Sequence, residues 1–301
     1  MLQPPAEEAL LSLGRALRKE GYRFTTVTPE THRRVNARGV EARTLTDVFG
    51  WSRTFEPGVL SDELLDLLRV AGALETRGPR FASQLRFSTL GEQLFVHSAY
   101  PTLAEYAVFF GPDTYRFASL LKREIGAARR VIDVGAGSGA GGLVLADRVE
   151  HVVLADINEK SLSYSRVNAA LNGCKAEIVS SDILDGIRGE YDLVISNPPY
   201  LADPQGRAYR DGGAELGTSL GARIVEQAMA RLAPGGRLLL YTGAPVVAGE
   251  DLFRRAITGL LGGSKWRYEE LDPDVFGEEL DSPAYAAVDR IAVVALSATK
   301  S

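Results

Sequence analysis

Asn197-Pro198-Pro199-Tyr200 is the stretch of this chain best suited to chemistry. It follows the apolar run Tyr191 to Ser196, which reads as a buried strand. The quartet therefore stands at a strand's C-terminal edge, where open α/β sheets hold their ligands. The Asn side-chain oxygen accepts a hydrogen bond. The prolines fix φ and lack N–H groups, which leaves a carbonyl free of local competition. The Tyr ring offers a flat face. Together these suit a planar –NH2 group, with two acceptors for its hydrogens and a ring to stack on. Taken alone, a proline-rich turn with an incidental Asn accounts for the quartet equally well.

The upstream residues shift that balance. Asp133-Val134-Gly135-Ala136-Gly137-Ser138-Gly139-Ala140 follows the strand-like Val131–Val134. Glycines at a strand-to-helix turn let the backbone approach a ligand and expose N–H groups. The loop satisfies G-x-G-x-x-A, so a dinucleotide is one candidate ligand. Asp156 lies 21 residues after Gly135, and its carboxylate suits a ribose diol, which a dinucleotide shares with other nucleoside ligands. Asp133, just ahead of the glycines, would repel a pyrophosphate but meets an amino-acid ammonium through water. After the next strand, Asp182 can accept from an adenine amine while the Ile183 N–H donates to the ring, with Ile157 covering one face. A helix N-cap is the plainer role for Asp182.

In this order, over residues 105–245 or so, the motifs resemble those of class I S-adenosylmethionine-dependent methyltransferases. The nearest likeness is to the small-domain group, which includes release-factor glutamine and rRNA guanine methyltransferases. The Asn-Pro-Pro-Tyr quartet is the signature of those that methylate planar nitrogens. The resemblance implies a Rossmann-like seven-stranded sheet and S-adenosyl-L-methionine as cofactor. It implies cofactor contacts from Asp133, Gly135, Gly137, Gly139, Asp156, Ile157, Asp182, Ile183 and Asn197. Pro112-Asp113-Thr114 is similar to the element that caps the cofactor in the glutamine enzymes, which adds Thr114; Tyr115 stands where they carry Glu. Arg210-Asp211-Gly212-Gly213 and Gly217 loosely resemble their post-quartet loop. Catalysis falls to Asn197 and the Pro198 carbonyl as acceptors of the target –NH2, with Tyr200 stacked on the acceptor. The function implied is methyl transfer to an amide or exocyclic amine on a protein or RNA. A small-molecule acceptor is the alternative, and a winged-helix nucleic-acid binder with a cofactor-sensing fold is a weaker one. DNA is disfavoured, because only about a hundred residues follow Tyr200 and these complete the sheet.

The elements that must carry these motifs are legible. From residue 103 onward, strands and helices alternate, which implies an α/β fold with a parallel sheet. Strands are expected at 131–134, 151–155, 176–179, 193–195, 237–241, 266–271 and 290–296, and helices at 114–125, 139–147, 159–172 and 221–232. Residues 1–102 read differently: a helix over 5–20, a helical turn at 46–50, a helix capped by Ser61, a break at Gly78-Pro79, and strands at 83–87 and 93–97 around Gly91. Helices followed by a hairpin suggest a small winged-helix-like domain for substrate recognition. His97 reads as a strand residue, Trp51 and Phe110 as core, and Phe110 to Tyr115 as the stretch that precedes the helix over the cofactor.

The 301 residues, 45% hydrophobic and 24% charged, are those of an ordinary globular protein. Net charge is −5, which argues against a high-affinity non-specific DNA binder. Arg15 to Arg43 holds eight basic and three acidic residues, either a solvated helical surface or a face for RNA or an acidic partner. No apolar run approaches membrane-spanning length, and Met1 to Glu8 lack a signal pattern. One cysteine, Cys174, excludes an intrachain disulfide and reads as a small apolar residue. Three scattered histidines hold no metal-site spacing, so no metal is expected. A cytoplasmic setting fits best.

Overall fold

In the computed structural model the described residues are 4–39 and 41–301; the reading of the leading residues thus falls partly on Met1–Gln3, outside them. Helix α1 (Pro4–Lys19) buries Leu10, Leu13 and Leu17 on one stripe. Helix α2 (Pro29–Asn36) was not legible as an apolar stripe, because it buries His32 alone; its signal is the Thr28 cap on Thr31 N–H followed by Pro29. Helix α3 (Leu45–Phe49) starts in a Thr44–Asp47 capping box, and α4 (Asp62–Val70) starts with Ser61 accepting from Leu64 N–H.

Two hairpins follow where one was expected. Strands β1 (Leu74–Arg77) and β2 (Arg80–Ser83) pair antiparallel through Gly78 at φ +61°, so Gly78-Pro79 is a hairpin turn rather than a break. Phe55 adds a bridge to Phe81. The hairpin that directly follows α3 and α4 is therefore β1–β2, ahead of the expected one. Strands β3 (Leu85–Leu90) and β4 (Gln93–Ser98) form the second hairpin, around Gly91.

The remainder comprises α5 (Pro112–Glu124), β5 (Ala128–Val134), α6 (Ala140–Leu143), β6 (Val149–Asp156), α7 (Glu159–Leu171), β7 (Glu177–Ser180), β8 (Tyr191–Ser196), α8 (Ala214–Gly217), α9 (Ser219–Arg231), β9 (Leu232–Val247), β10 (Glu250–Asp251), α10 (Leu252–Thr258), β11 (Lys265–Asp272) and β12 (Arg290–Thr299). Strand order is β11-β12-β9-β8-β5-β6-β7, with the two-residue β10 paired to β9. The five strands from β7 to β9 are parallel, and β12 runs antiparallel to both neighbours. This is the expected Rossmann-like seven-stranded sheet. Connections turn one way from β5 to β6 and β7, and the other way to β8 and β9. The C-terminal ends of β5 and β8 therefore open a crevice at the topological switch point.

One expected helix is shorter than its pattern. Only one turn forms at α6, because Gly141 and Gly142 press against the sheet: a Cβ on Gly142 would stand 2.4 Å from Leu154, and one on Gly141 2.7 Å from an Asp133 oxygen. Helix α7, in contrast, is buried almost all round. One side covers the sheet; Tyr164, Val167 and Leu171 join the N-terminal core of Leu10, Leu13, Phe49 and Phe87. Side chains of Asn168 and Asn172 each accept from and donate to the β4 backbone, at Val96 and Leu94, at 2.8–3.0 Å. Hairpin β3–β4 is thus bound to the sheet domain, and contacts run across the 102/103 boundary.

Candidate functional site: a cleft and a chamber divided by the quartet

At the switch point a cleft of about 1030 Å³, its open mouth included, is lined by residues from eight segments. Its floor is the glycine-rich loop. Gly135 and Gly137 adopt φ of +68° and +58°, which an L side chain rarely adopts, and nothing occupies the space where their Cβ atoms would be. Gly139, at φ +78°, instead packs where a Cβ would meet Leu154 at 2.9 Å; it shapes the turn but does not line the cleft. Asp133 is fully buried beneath the loop and accepts from Gly142 N–H at 2.7 Å. Burial, offset by that bond and reinforced by nearby Asp156, pushes its carboxyl up to about 7.

Asp156 closes β6. One of its oxygens accepts from Gly137 N–H and the other from Asn158 N–H, both at 2.8 Å. The same carboxylate that faces the cleft therefore pins the glycine loop. Burial raises its pKa, and these backbone bonds oppose the rise. Ile157 stands 66% exposed beside it, an apolar face offered to the cleft. Asp182 lines the cleft and pairs with Arg223 at 3.3 Å. Ile183 lies next to it at φ +53°, a conformation that costs a β-branched residue on the order of 1–3 kcal/mol. Thr114 reaches the cleft from the first turn of α5 and accepts from Gly111 N–H at 3.2 Å.

The quartet divides this cleft from a second, open chamber of about 450 Å³, its mouth included, lined by Asp113, Tyr200, Leu201, Arg210 and Phe276 besides the residues it shares with the cleft. Asn197, Pro198 and Pro199 face both spaces. No hydrogen bond engages the Asn197 amide among the described residues, so both its donor and acceptor capacity are open to a ligand. Ser196 anchors the partition: its buried hydroxyl donates to Val134 O at 2.7 Å, which locks the quartet's height to the glycine loop.

Tyr200 lines the chamber and not the cleft. It is 7% exposed, its hydroxyl donates to Asp113, and its ring lies so close over Gly243 that a Cβ there would stand 2.3 Å away. Asp113 also accepts from Tyr241 at 2.9 Å and from Arg116 at 3.0 Å. Burial and the adjoining Asp113 carboxylate push the Tyr200 hydroxyl well above its usual range, so it stays protonated. Gly217, at φ +88°, passes within 2.4 Å, measured from its ideal Cβ, of the Tyr200 carbonyl oxygen. Gly212 and Gly217 of the post-quartet loop thus seat the Tyr200 backbone, while Gly213 packs on Ser219.

Two residues not singled out from the sequence complete the walls. Phe109 and Tyr209 line both the cleft and the chamber, and their rings stack at 5.9 Å and 6°. The only sequence signal was the aromatic run Phe109-Phe110 ahead of Pro112. Phe110 itself is core, stacked on His97 at 5.0 Å. His97 is buried against Ser88 and the Ser98 carbonyl, and Trp51 packs edge-on to Phe24. Cys174 is half-buried beside Gln93. Among the described residues, no group of three His, Cys, Asp or Glu could hold a metal ion, and no helix is long and apolar enough to cross a membrane.

Comparison with known proteins places this arrangement. The family model described as methyltransferase small domain matches residues 112–252. The release factor glutamine methyltransferase of Deinococcus radiodurans is 36% identical over 165 residues, 50% of this chain and 55% of that protein. The ribosomal RNA small subunit methyltransferase C of Chromohalobacter salexigens is 37% identical over 118 residues, 39% of this chain and 32% of that one. The chain thus spans about half, or less, of these relatives. Among solved structures, Trm5b from Pyrococcus abyssi aligns with TM-score 0.51 and 17% identity, covering 79% of this chain and 68% of that one. Trm5 of Methanocaldococcus jannaschii in complex with adenosine aligns with TM-score 0.51 and 15% identity, covering 72% and 57%. Those two likenesses carry the fold alone. The segment 112–252, which holds the glycine loop, Asp156, Asp182 and the quartet, is a methyltransferase small domain.

Proposed function

We propose that this chain transfers a methyl group from S-adenosyl-L-methionine to a planar nitrogen, an amide or exocyclic amine of a protein or RNA. The observation that carries the reading is the partition: an unengaged Asn197 amide and the Pro198 carbonyl stand between a cleft with a ribose-type carboxylate and a second chamber. The relatives named above, a protein glutamine and a ribosomal RNA methyltransferase, support the same class of acceptor.

The cleft's own residues fit the cofactor. Asp156 offers its carboxylate to a diol, Ile157 offers an apolar cover, and Asp182 and the Ile183 N–H suit the adenine edge. Asp133 suits an ammonium, and Gly135 and Gly137 leave room for the chain. When bound, the cofactor supplies a methyl group on a positively charged sulfonium. Asn197 Oδ1 and the Pro198 carbonyl accept from the target –NH2 and orient it. Those bonds draw the nitrogen lone pair out of conjugation. The nitrogen gains the methyl and loses one proton to solvent, so positioning and electrostatics account for most of the acceleration.

A protein acceptor is better supported than a nucleic acid docked on α4. That helix, which would be the recognition element of a winged helix, exposes Asp62, Glu63 and Asp66, and Arg69 is paired with Asp66. Such a face repels phosphates. Within the basic stretch, Arg33 and Arg34 pair with Glu30, and Arg18 donates to Leu171 O. A cytoplasmic setting belongs to this reading.

The test supplies radiolabelled S-adenosyl-L-methionine with lysate of a strain lacking the protein. Protease, RNase and solvent extraction then identify the class of molecule that is labelled. Asn197→Ala should keep the cofactor dissociation constant within about threefold and lower turnover at least a hundredfold, the scale of losing one aligned polar group. Surviving turnover would make the quartet structural.

A further inference from the structure

We propose that Phe109 and Tyr209 form the aromatic wall on which the acceptor's planar group lies, the role that the quartet pattern assigns to Tyr200. This rests on the methyl-transfer reading above and names the residues that select its acceptor.

Five residues face both the cleft and the chamber: Asn197, Pro198, Pro199, Phe109 and Tyr209. A group that passes its nitrogen from chamber to cleft passes among these five. Asn197 and the prolines supply the polar and rigid side. Phe109 and Tyr209 supply the only aromatic surface common to both spaces among the described residues. Tyr200 lines the chamber but not the cleft, with its ring packed on Gly243 and its hydroxyl held by Asp113.

The pair is built, not incidental. Phe109 is 40% exposed, so its ring is accessible to a ligand. Its ring folds over Gly111, where a Cβ would stand 2.3 Å from Phe109 Cζ. Tyr209 donates its hydroxyl to Thr102 O at 2.6 Å, and Ala208 N–H donates to Glu105 O at 3.0 Å, so the two loops are tied together. Arg207 lies 5.9 Å from the Tyr209 ring and is itself held by both oxygens of Asp203. Two near-parallel rings anchored from separate loops present a flat apolar face, which favours a planar acceptor with a π face over an aliphatic amine.

The experiment measures methyl transfer into the lysate fraction that wild-type protein labels, as a function of that fraction's concentration, beside calorimetric affinity for S-adenosyl-L-methionine. Phe109→Leu and Tyr209→Leu keep bulk and apolarity but remove the π face. Each should raise the half-saturating acceptor concentration about three- to tenfold, with cofactor affinity within twofold. Phe109→Tyr, which retains the ring, should behave as wild type within about twofold, and Tyr209→Phe, which keeps the ring but loses the bond to Thr102 O, should stay closer to wild type than Tyr209→Leu. Unchanged half-saturation in both Leu variants overturns the proposal while leaving methyl transfer standing. A parallel loss of cofactor affinity also overturns it, since the pair would then be a wall for the cofactor. If wild-type protein labels nothing, the methyl-transfer reading fails and the aromatic wall with it.

Discussion

Replacing Asp156 with Ala tests the cleft at its most connected residue. Two of the roughly four lone-pair sites of the carboxylate are taken by Gly137 and Asn158 N–H at 2.8 Å. The others face the Ile157 N–H and the Ser161 hydroxyl, which a ribose diol would displace. Charge-assisted bonds are worth about 1.5–3 kcal/mol each. Losing the pair to the diol, with partial compensation from water, should weaken cofactor binding by about 2–4 kcal/mol, or roughly 30- to 1000-fold. The same substitution releases Gly137 N–H at a position of positive φ, so the glycine loop loosens as well. Its effect on folding should be smaller, on the order of 1–2 kcal/mol, because removing a buried carboxylate also relieves a desolvation cost. Asn is not a conservative replacement: its –NH2 would face one of two backbone N–H donors. Isothermal titration with S-adenosyl-L-methionine and with S-adenosyl-L-homocysteine checks the reasoning, since both carry the diol and should lose affinity equally. A dissociation constant within threefold of wild type in Asp156→Ala would refute it. So would a loss confined to the methylated ligand.

Asp133, with its carboxyl raised to about 7, should couple cofactor binding to pH. A cationic ligand favours the ionised carboxylate, so binding releases a proton below about pH 7. Affinity should then fall, by at most about tenfold per unit, as pH drops from 7 to 5.5; an Asp133→Asn profile as steep as wild type would count against this. Gly243→Ala drives a methyl into the Tyr200 ring, and overpacking of this kind costs about 1–3 kcal/mol; a thermal midpoint equal to wild type would show that the ring is free to move. His32 is lowered to about 4 and His97 well below 6.5, in both cases by burial first and the Arg86 guanidinium second. A depressed His contributes stability that is present above pH 6.5 and lost as pH falls through its folded value. Urea midpoints should therefore drop between pH 6.5 and 4, with His32 accounting for up to about 3 kcal/mol. A His32→Gln variant whose pH dependence matches wild type would reject its share.

How far the fold was legible depended on burial pattern. Strands β5, β6, β8 and β12 announce themselves as apolar runs, and the Gly, Asp and Asn-Pro-Pro segments mark their ends. The short elements carried weaker signals. Helix α2 buries one side chain, so no stripe betrays it. Strands β1 and β2 present charged residues such as Glu75, Arg77 and Arg80 on a partly solvated hairpin, and their Gly-Pro turn looked like a break. Helix α6 was overextended because two glycines that press on Leu154 and Asp133 read, in sequence, as ordinary members of a helical run.

The βαβ order and the chemistry offered at each strand end are readable from the amino acids alone: a glycine loop with Asp133, Asp156, Asp182, and an amide followed by two prolines. Those features are local, written in hydrophobic runs and in the φ and hydrogen-bonding limits of Gly, Pro, Asp and Asn. Only the tertiary structure decided which aromatic rings face the site. Tyr200 is held on the chamber side by Asp113 and Gly243, while Phe109 and Tyr209, a hundred residues apart, stack and line both spaces. Side-chain direction there is set by contacts between distant segments, and no local rule of spacing contains them.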